Sequence, residues 1–263
     1  MIPKIIHYCW FGGNPKPDLI LKCISSWKKY CPDWEIKEWN EENFDVNQHP
    51  FMRDAYAAKK WAFVSDVARL LIIYEHGGIY LDTDVELRSS IDNLTGYDGF
   101  FAFQSLIHIA TGLGFGASPK HSLVQAMLEK YDNLTLTIKN IVPCPVLNTE
   151  AIKSCLSNPN MNGEKTVAIK NCIFLSADDF GKIGYHHGMQ SWVDGPKFEQ
   201  ASRKRTKLGL WVQSKLKYPE NFAFIEKHLG KKALKIYTFV TYDLFDCGIG
   251  FFFLRLLHKI KRK

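Results

Sequence analysis

The chain lacks a long apolar run, a Cys-x-x-Cys pair, an internal repeat and a low-complexity tract. Each absence removes a class of protein. A bilayer-spanning helix needs ~18 consecutive apolar residues, and no stretch reaches that length. The cysteines stand at 9, 23, 31, 144, 155, 172 and 247, an odd number without paired spacing. That pattern argues against a disulfide framework and for reduced thiols in a cytoplasmic protein. Met1-Ile2-Pro3-Lys4 leads straight into a strand-like run, so no targeting peptide is expected. No recognisable nucleic-acid-binding module accompanies the basic residues, so a nucleic-acid partner is not expected.

What is present is core-forming material. The 263 residues are 46% hydrophobic and 14% aromatic, enough for one large domain or a domain with an appendage. The net charge of +7 is unevenly placed. Residues 203–263 carry 15 basic and 4 acidic side chains, while residues 1–202 carry 19 basic and 23 acidic. The excess positive charge therefore belongs to the C-terminal segment, which points to an anionic surface as its partner.

Lys4 to Phe11 is a near-continuous apolar run ending at Gly12-Gly13, which reads as a buried parallel strand. The two glycines allow backbone to approach a ligand closely. Trp10, at the strand end, has two readings: a stacking platform for a base, or core. Residues 18–30 have helical spacing, with Leu19, Ile20, Cys23, Ile24 and Trp27 on one face. Trp34 to Trp39 alternates as a second strand, so the chain opens β-α-β, the start of an α/β sheet.

Phe51 to His76 reads as one or two helices. Asp66 and Arg69, spaced i and i+3, share a face of an otherwise apolar helix. Either they form a structural ion pair, or they are a polar cluster in which Arg69 counters a phosphate.

Gly77-Gly78-Ile79-Tyr80-Leu81-Asp82-Thr83-Asp84 is the centre of the sequence. Two glycines end a helix, and a short apolar strand then delivers two carboxylates. With Asp at about 6% of residues, a bare Asp-x-Asp occurs about once by chance in such a chain, so the context carries the weight. Residues i and i+2 of a strand face one side, which would turn Asp82 and Asp84 into one pocket. Such hard oxygen ligands suit Mg²⁺ or Mn²⁺, and with the metal a phosphate.

Farther on, Phe100–Gln104 reads as a strand and His121–Tyr131 as a helix. Between them, Gly112, Gly114 and Gly116 either bend the chain around a donor sugar or thin a strand. Residues 143–150 hold two prolines and precede a short helix ending at Leu156. Thr166–Lys170 and Cys172–Leu175 read as strands joined by a turn. In Gly184–Trp192, adjacent His186 and His187 project to different sides, so one at most faces a pocket. A histidine there is a candidate third metal ligand, and Trp192 a second stacking platform. Near the C-terminus, positions 249, 252, 253, 256, 257 and 260 form one apolar helical stripe, with Arg255, Lys259 and Arg262 off it. The pattern fits an in-plane helix on anionic lipid, or a helix packed on the body.

Together these stretches resemble the sugar transferases of glycosyltransferase family 32. The resemblance rests on Ile2–Gly13, Ser65-Asp66-x-x-Arg69, Gly77–Asp84 and His186-His187 with Ser191-Trp192. The family's common form has Trp where this chain has Gly188. Capsular-polysaccharide transferases and Golgi mannosyltransferases belong to that family, and the catalytic domains of large glucosylating toxins are similar to it.

The resemblance implies a GT-A fold over residues 1–200, while the charge and apolar stripe of the tail point to residues 201–263 as a basic helical segment for attachment to the inner face of the cell membrane. It implies Mn²⁺ or Mg²⁺ held by Asp84, with His187 and Asp82 as further ligands. Trp10 would stack on the base, and Tyr8 and Tyr80 would lie on the nucleotide side. Asp66 and Arg69 would meet the donor sugar or ribose, Asp82 the ribose or a metal-bound water, and Trp192 the leaving diphosphate. The activity so implied is retaining transfer of a hexose or N-acetylhexosamine from a nucleotide sugar, UDP-linked rather than GDP-mannose, to a glycan or lipid-linked glycan. The alternative is a non-catalytic, membrane-associated nucleotide-sugar or glycan binder.

Overall fold

The computed structural model describes residues 1–134, 136, 143–158 and 161–188. Trp192 and the basic segment 201–263, and with them every expectation placed there, lie outside the described residues.

The opening β-α-β unit forms as expected. Strand β1 (Ile5–Cys9) pairs in parallel with β2 (Glu35–Trp39), and helix α1 (Asp18–Tyr30) joins them. Helix α1 buries Ile20, Cys23 and Trp27, the expected face, and carries Asp18 in its first turn and Lys28 and Lys29 in its last. Those charges oppose the helix dipole favourably at both ends. The apolar stretch after β2 becomes two helices, α2 (Pro50–Ala57) and α3 (Trp61–His76). Pro50 starts α2, where its missing N–H costs nothing.

Gly77 ends α3 with φ +68° and leads into β3 (Gly78–Tyr80), which pairs in parallel with β1. There follow β4 (Val85–Leu87), β5 (Gly99–Ala102), β6 (Phe115–Ala117) and helix α4 (Ser122–Glu129). Helix α5 runs over Cys144–Leu156, then β7 (Val167–Ile169), β8 (Cys172–Leu175), α6 (Ala177–Ile183) and β9 (Gly184–His186). Helix α5 starts earlier than the prolines suggest, because Pro145 sits in its first turn, where proline is tolerated.

Seven strands form one mixed sheet in the order β2-β1-β3-β6-β5-β8-β7, and β4 and β9 form a separate antiparallel ribbon. Strand β6 runs antiparallel between β3 and β5. Gly116 lies at its centre, where a Cβ would stand 2.6 Å from the Gly78 carbonyl, so this glycine does thin a strand.

Side-chain alternation divides the core in two. Tyr80, Phe101 and Phe115 face a cluster with α2, α3, α4 and α5. Ile79, Phe100 and Leu175 face the other, with Trp27 of α1 and Phe180 of α6. The sheet is thus covered by helices on both sides, the expected α/β architecture. Among the described residues, no helix is long and apolar enough to cross a membrane.

Candidate active site at the ends of the parallel strands

Strands β2, β1 and β3 run in one direction, so the residues that follow them share one edge of the sheet. Trp10 follows β1, Asn40 follows β2, and Asp82 lies just beyond β3. In open α/β sheets this carboxyl-end edge is where ligands bind.

Asp82 and Asp84 do converge, although not through strand pleating. Strand β3 ends at Tyr80, and Asp82 to Asp84 form a tight turn in which the Val85 amide donates to the Asp82 carbonyl at 2.9 Å. The turn, rather than an i, i+2 alternation, brings the two carboxylates together. Beyond it, β4 is pinned on one side by α1: Trp27 Nε1 donates to the Val85 carbonyl at 2.7 Å, and the Leu87 amide to Ser26 Oγ at 2.9 Å.

On the other side β9 aligns His186 with Val85, and His186 Nε2 lies 3.1 Å from Asp84 Oδ1. One ligand atom each from Asp82, Asp84 and His186 lie within 4.8 Å of one another. The expected third ligand, His187, is elsewhere: its Nε2 lies 2.9 Å from Glu86 Oε2. The two histidines do project differently, as their adjacency requires, and register assigns the inward place to His186. Two carboxylates and an imidazole are a donor set that fits a divalent cation, the carboxylates favouring Mg²⁺ or Mn²⁺ and the nitrogen favouring the softer of these.

Arg69 completes the cluster. Its Nη2 is 3.2 Å from Asp66 Oδ1 and 3.2 Å from Asp82 Oδ1, and its Nε donates to the Ser65 carbonyl at 2.9 Å. It is 4% exposed. The i, i+3 pair is therefore structural and also part of the polar cluster, because one guanidinium joins helix α3 to the acidic turn. Tyr80, expected beside a nucleotide, is fully buried, with the Arg69 guanidinium 5.0 Å above its ring. It supports Arg69 from below, since its position in β3 faces the helix side of the sheet.

Burial raises the Asp82 carboxyl above its usual range, Arg69 opposes that rise, and Asp84 adds to it. Burial likewise raises Asp66 against the pull of Arg69. For His186, burial disfavours the cation, but the hydrogen bond and charge of Asp84 outweigh it and raise the imidazole. Arrangements of this kind, with charges brought together partly out of water, are typical of functional sites.

Trp10 lines an open groove of about 790 Å³ with Gly12, Lys16, Glu38, Tyr56 and Trp61. Its indole N–H donates to the Asn14 carbonyl at 2.7 Å, and Lys16 Nζ lies 5.6 Å from the ring centre. Tyr8 does not line this groove. Its ring packs edge-on against Trp27, and its hydroxyl donates to Glu38, which holds it behind the groove wall.

Sequence reasoning missed several residues around Asp66 and Asp82. A Cβ on Gly112 would stand 2.2 Å from Asp82 Oδ2 and 2.9 Å from Arg69 Nη1, so the glycine makes room for the carboxylate. Cys144, at the start of α5, lies beside Asp66 and helps to hold its carboxyl down. Asn148 is wholly buried, donates to Thr111 Oγ1 at 3.0 Å, and leaves its Oδ1 without a partner among the described residues. The buried Tyr131 hydroxyl likewise has no partner among the described residues. The signal available for these was the glycine-rich run and the polar Asn148-Thr149 pair in an otherwise apolar helix.

Residues 17–101 match the family described as "Glycosyltransferase sugar-binding region containing DXD motif". The matched segment holds Asp66, Arg69, Asp82 and Asp84. Over 100 residues the chain is 34% identical to "Inositol phosphoceramide mannosyltransferase 3" of Schizosaccharomyces pombe, which covers 36% of this chain and 28% of that protein. Over 150 residues it is 28% identical to "Inositol phosphoceramide mannosyltransferase 1" of the same organism, covering 52% of this chain and 46% of that one. The chain thus spans less than half the length of these relatives. Among solved structures, "PaToxG Glycosyltransferase" superposes with a TM-score of 0.48 at 18% identity, covering 59% of this chain and 70% of that chain.

Proposed function

We propose that this chain is a metal-dependent glycosyltransferase that moves a hexose from a nucleotide sugar to a glycan or lipid-linked acceptor. The observation that carries this reading is the convergence of Asp82, Asp84 and His186 beside Arg69 at the carboxyl ends of parallel strands. The similarity to sugar transferases over the segment that holds Asp82, Asp84 and Arg69 supports it independently.

Asp84, Asp82 and His186 would hold the cation, with Mn²⁺ fitting this mixed donor set better than Mg²⁺. When bound, such a cation neutralises the charge that develops on a departing diphosphate. The chain's own residues supply the rest. Arg69 orients Asp66 and Asp82 and favours their charged forms against burial, and Gly112 leaves the space in which Asp82 turns. Trp10 offers an aromatic face to the base along the same sheet edge, and Asp66 with Asn148 supplies acceptors for sugar hydroxyls. A site walled in this way orients the acceptor hydroxyl and limits water. In this proposal transfer retains the donor's anomeric configuration by front-face attack, and trapping a glycosylated enzyme residue would overturn that feature.

The acceptor reading draws on the relatives, whose names specify mannosyl transfer to a phosphosphingolipid. It also draws on the basic, aromatic C-terminal sequence, which suits an anionic membrane surface. On this reading the chemistry takes place at the inner face of the cell membrane, a placement that rests on the C-terminal sequence alone.

The test is a donor screen with Mn²⁺ that sets UDP-hexoses against GDP-mannose and follows hydrolysis and transfer. Release of nucleoside diphosphate, abolished by Asp84→Ala and by EDTA, is the expected result. Full activity of Asp84→Ala in EDTA would sink the metal reading. Tight donor binding without hydrolysis or transfer to any acceptor would mark the chain as a binder.

A further inference from the structure

His187 is the residue that the sequence favours as a ligand and that the fold turns away. Its imidazole is nonetheless tightly held. Nε2 meets Glu86 Oε2 at 2.9 Å, the Tyr185 ring stands edge-on at 4.9 Å, and its own amide donates to the Asp84 carbonyl at 2.9 Å. Glu86 is shared: Lys22 Nζ of α1 lies 3.0 Å from both carboxylate oxygens. One carboxylate therefore links α1, β4 and the end of β9. The ribbon it closes is only three residue pairs long, and its first pair is Val85 with His186. Asp84 immediately precedes that pair, and His186 belongs to it.

A ribbon this short is not stable by its own hydrogen bonds. It is fixed on the α1 side by Trp27 and Ser26, but these bonds reach β4 alone. The position of β9, and so the approach of His186 to Asp84, depends on what ties β9 down. Among the described residues two side chains of the β4 stretch make such ties: Arg88 lies over the Tyr185 ring at 4.8 Å, and Glu86 holds His187, next to His186 itself.

We propose that Glu86 is a positioning residue: through His187 and Lys22 it holds β9 against β4, so that His186 and Asp84 present their ligand atoms to one cation. The inference rests on the metal site proposed above, and it assigns His187 to the support of the site rather than to the metal. Outer partners of this kind commonly change metal affinity by about 10-fold to 100-fold when removed.

The test uses the full chain and Mn²⁺ alone, without donor or acceptor. Mn²⁺ affinity is measured by titration, and coordinated nitrogen by the hyperfine coupling in its pulsed electron paramagnetic resonance spectrum. Glu86→Ala is expected to weaken Mn²⁺ by about 10-fold, and Glu86→Gln, which keeps an oxygen acceptor for His187, to recover most of that loss at a similar melting temperature. His187→Ala is expected to weaken binding similarly yet keep the nitrogen coupling, whereas His186→Ala removes the coupling. If Glu86→Ala binds Mn²⁺ as wild type does, the positioning role is refuted while the metal site stands; if the coupling disappears with His187→Ala and survives His186→Ala, the positioning role is refuted and His187 replaces His186 as the ligand beside the acidic pair. Absence of Mn²⁺ binding by the wild-type chain refutes the metal site itself.

Discussion

Arg69 Nη2 stands 3.2 Å from Asp82 Oδ1, joining a buried helix to the turn that carries the acidic pair. The same nitrogen is 3.2 Å from Asp66 Oδ1, so one cation serves two carboxylates and opposes the rise that burial imposes on both. The guanidinium is thus both a structural bridge and the group that keeps the site's charges in place.

Removing that bridge leaves two poorly solvated carboxylates without a counter-charge. Arg69→Ala is expected to lower unfolding stability by about 3 kcal/mol, in the range for breaking buried pairs from one side. Arg69→Lys should recover only part of this, because a single ammonium cannot reproduce the fork that reaches Ser65, Asp66 and Asp82 together. Urea denaturation of the three proteins decides the matter, and equal midpoints would refute the bridge.

Gly112→Ala tests the crowding around Asp82. The new methyl would stand 2.2 Å from Asp82 Oδ2, so the carboxylate must turn away. Misplacement of a positioning group by about 1 Å can cost about 100-fold in rate, and a fall of that order in kcat/KM is expected with little change in melting temperature. Unchanged kcat/KM would remove Asp82 from the working part of the site.

Asn148 separates stability from function. Its carbonyl oxygen is buried without a partner among the described residues, an arrangement that costs folding free energy unless a ligand uses it. Asn148→Leu should therefore change stability by less than about 1 kcal/mol while clearly raising the KM for the donor. A large stability loss with normal KM would show that Asn148 serves the core alone.

His7 predicts a pH dependence of stability remote from the acidic turn. Burial, with the charge of neighbouring His76 adding to it, pushes its imidazole down to about 3 from 6.5. The unfolded chain then takes up a proton below about pH 6.5 that the folded chain refuses until about pH 3. Stability is complete above pH 6.5 and falls as pH drops through that window, by a total on the order of 5 kcal/mol. Melting temperatures of wild type and His7→Gln between pH 7.5 and 4 should show the steeper fall in wild type, and parallel curves would count against a buried neutral imidazole.

Much of this protein was legible locally. The faces of α1 and α3, the Gly77 break and the Asp66–Arg69 spacing all follow from contacts within a few residues, and helix and strand periods report such contacts directly. The boundaries of α5 were less legible, because a proline in a first turn resembles a proline in a loop.

What the sequence alone determined, then, is the α/β succession and the presence of an acidic pair after a glycine-ended helix, since both depend on short-range geometry. Only the tertiary structure decided that His186 rather than His187 turns to Asp84, that Tyr80 lies beneath Arg69, and that Gly112 stands against Asp82. These are relations across 102 positions for Asp84 and His186, 11 for Arg69 and Tyr80, and 30 for Asp82 and Gly112. They are set by strand register and by how the packed elements face one another. A one-residue change of register would exchange the two histidines, and nothing in their own stretch of chain fixes that register.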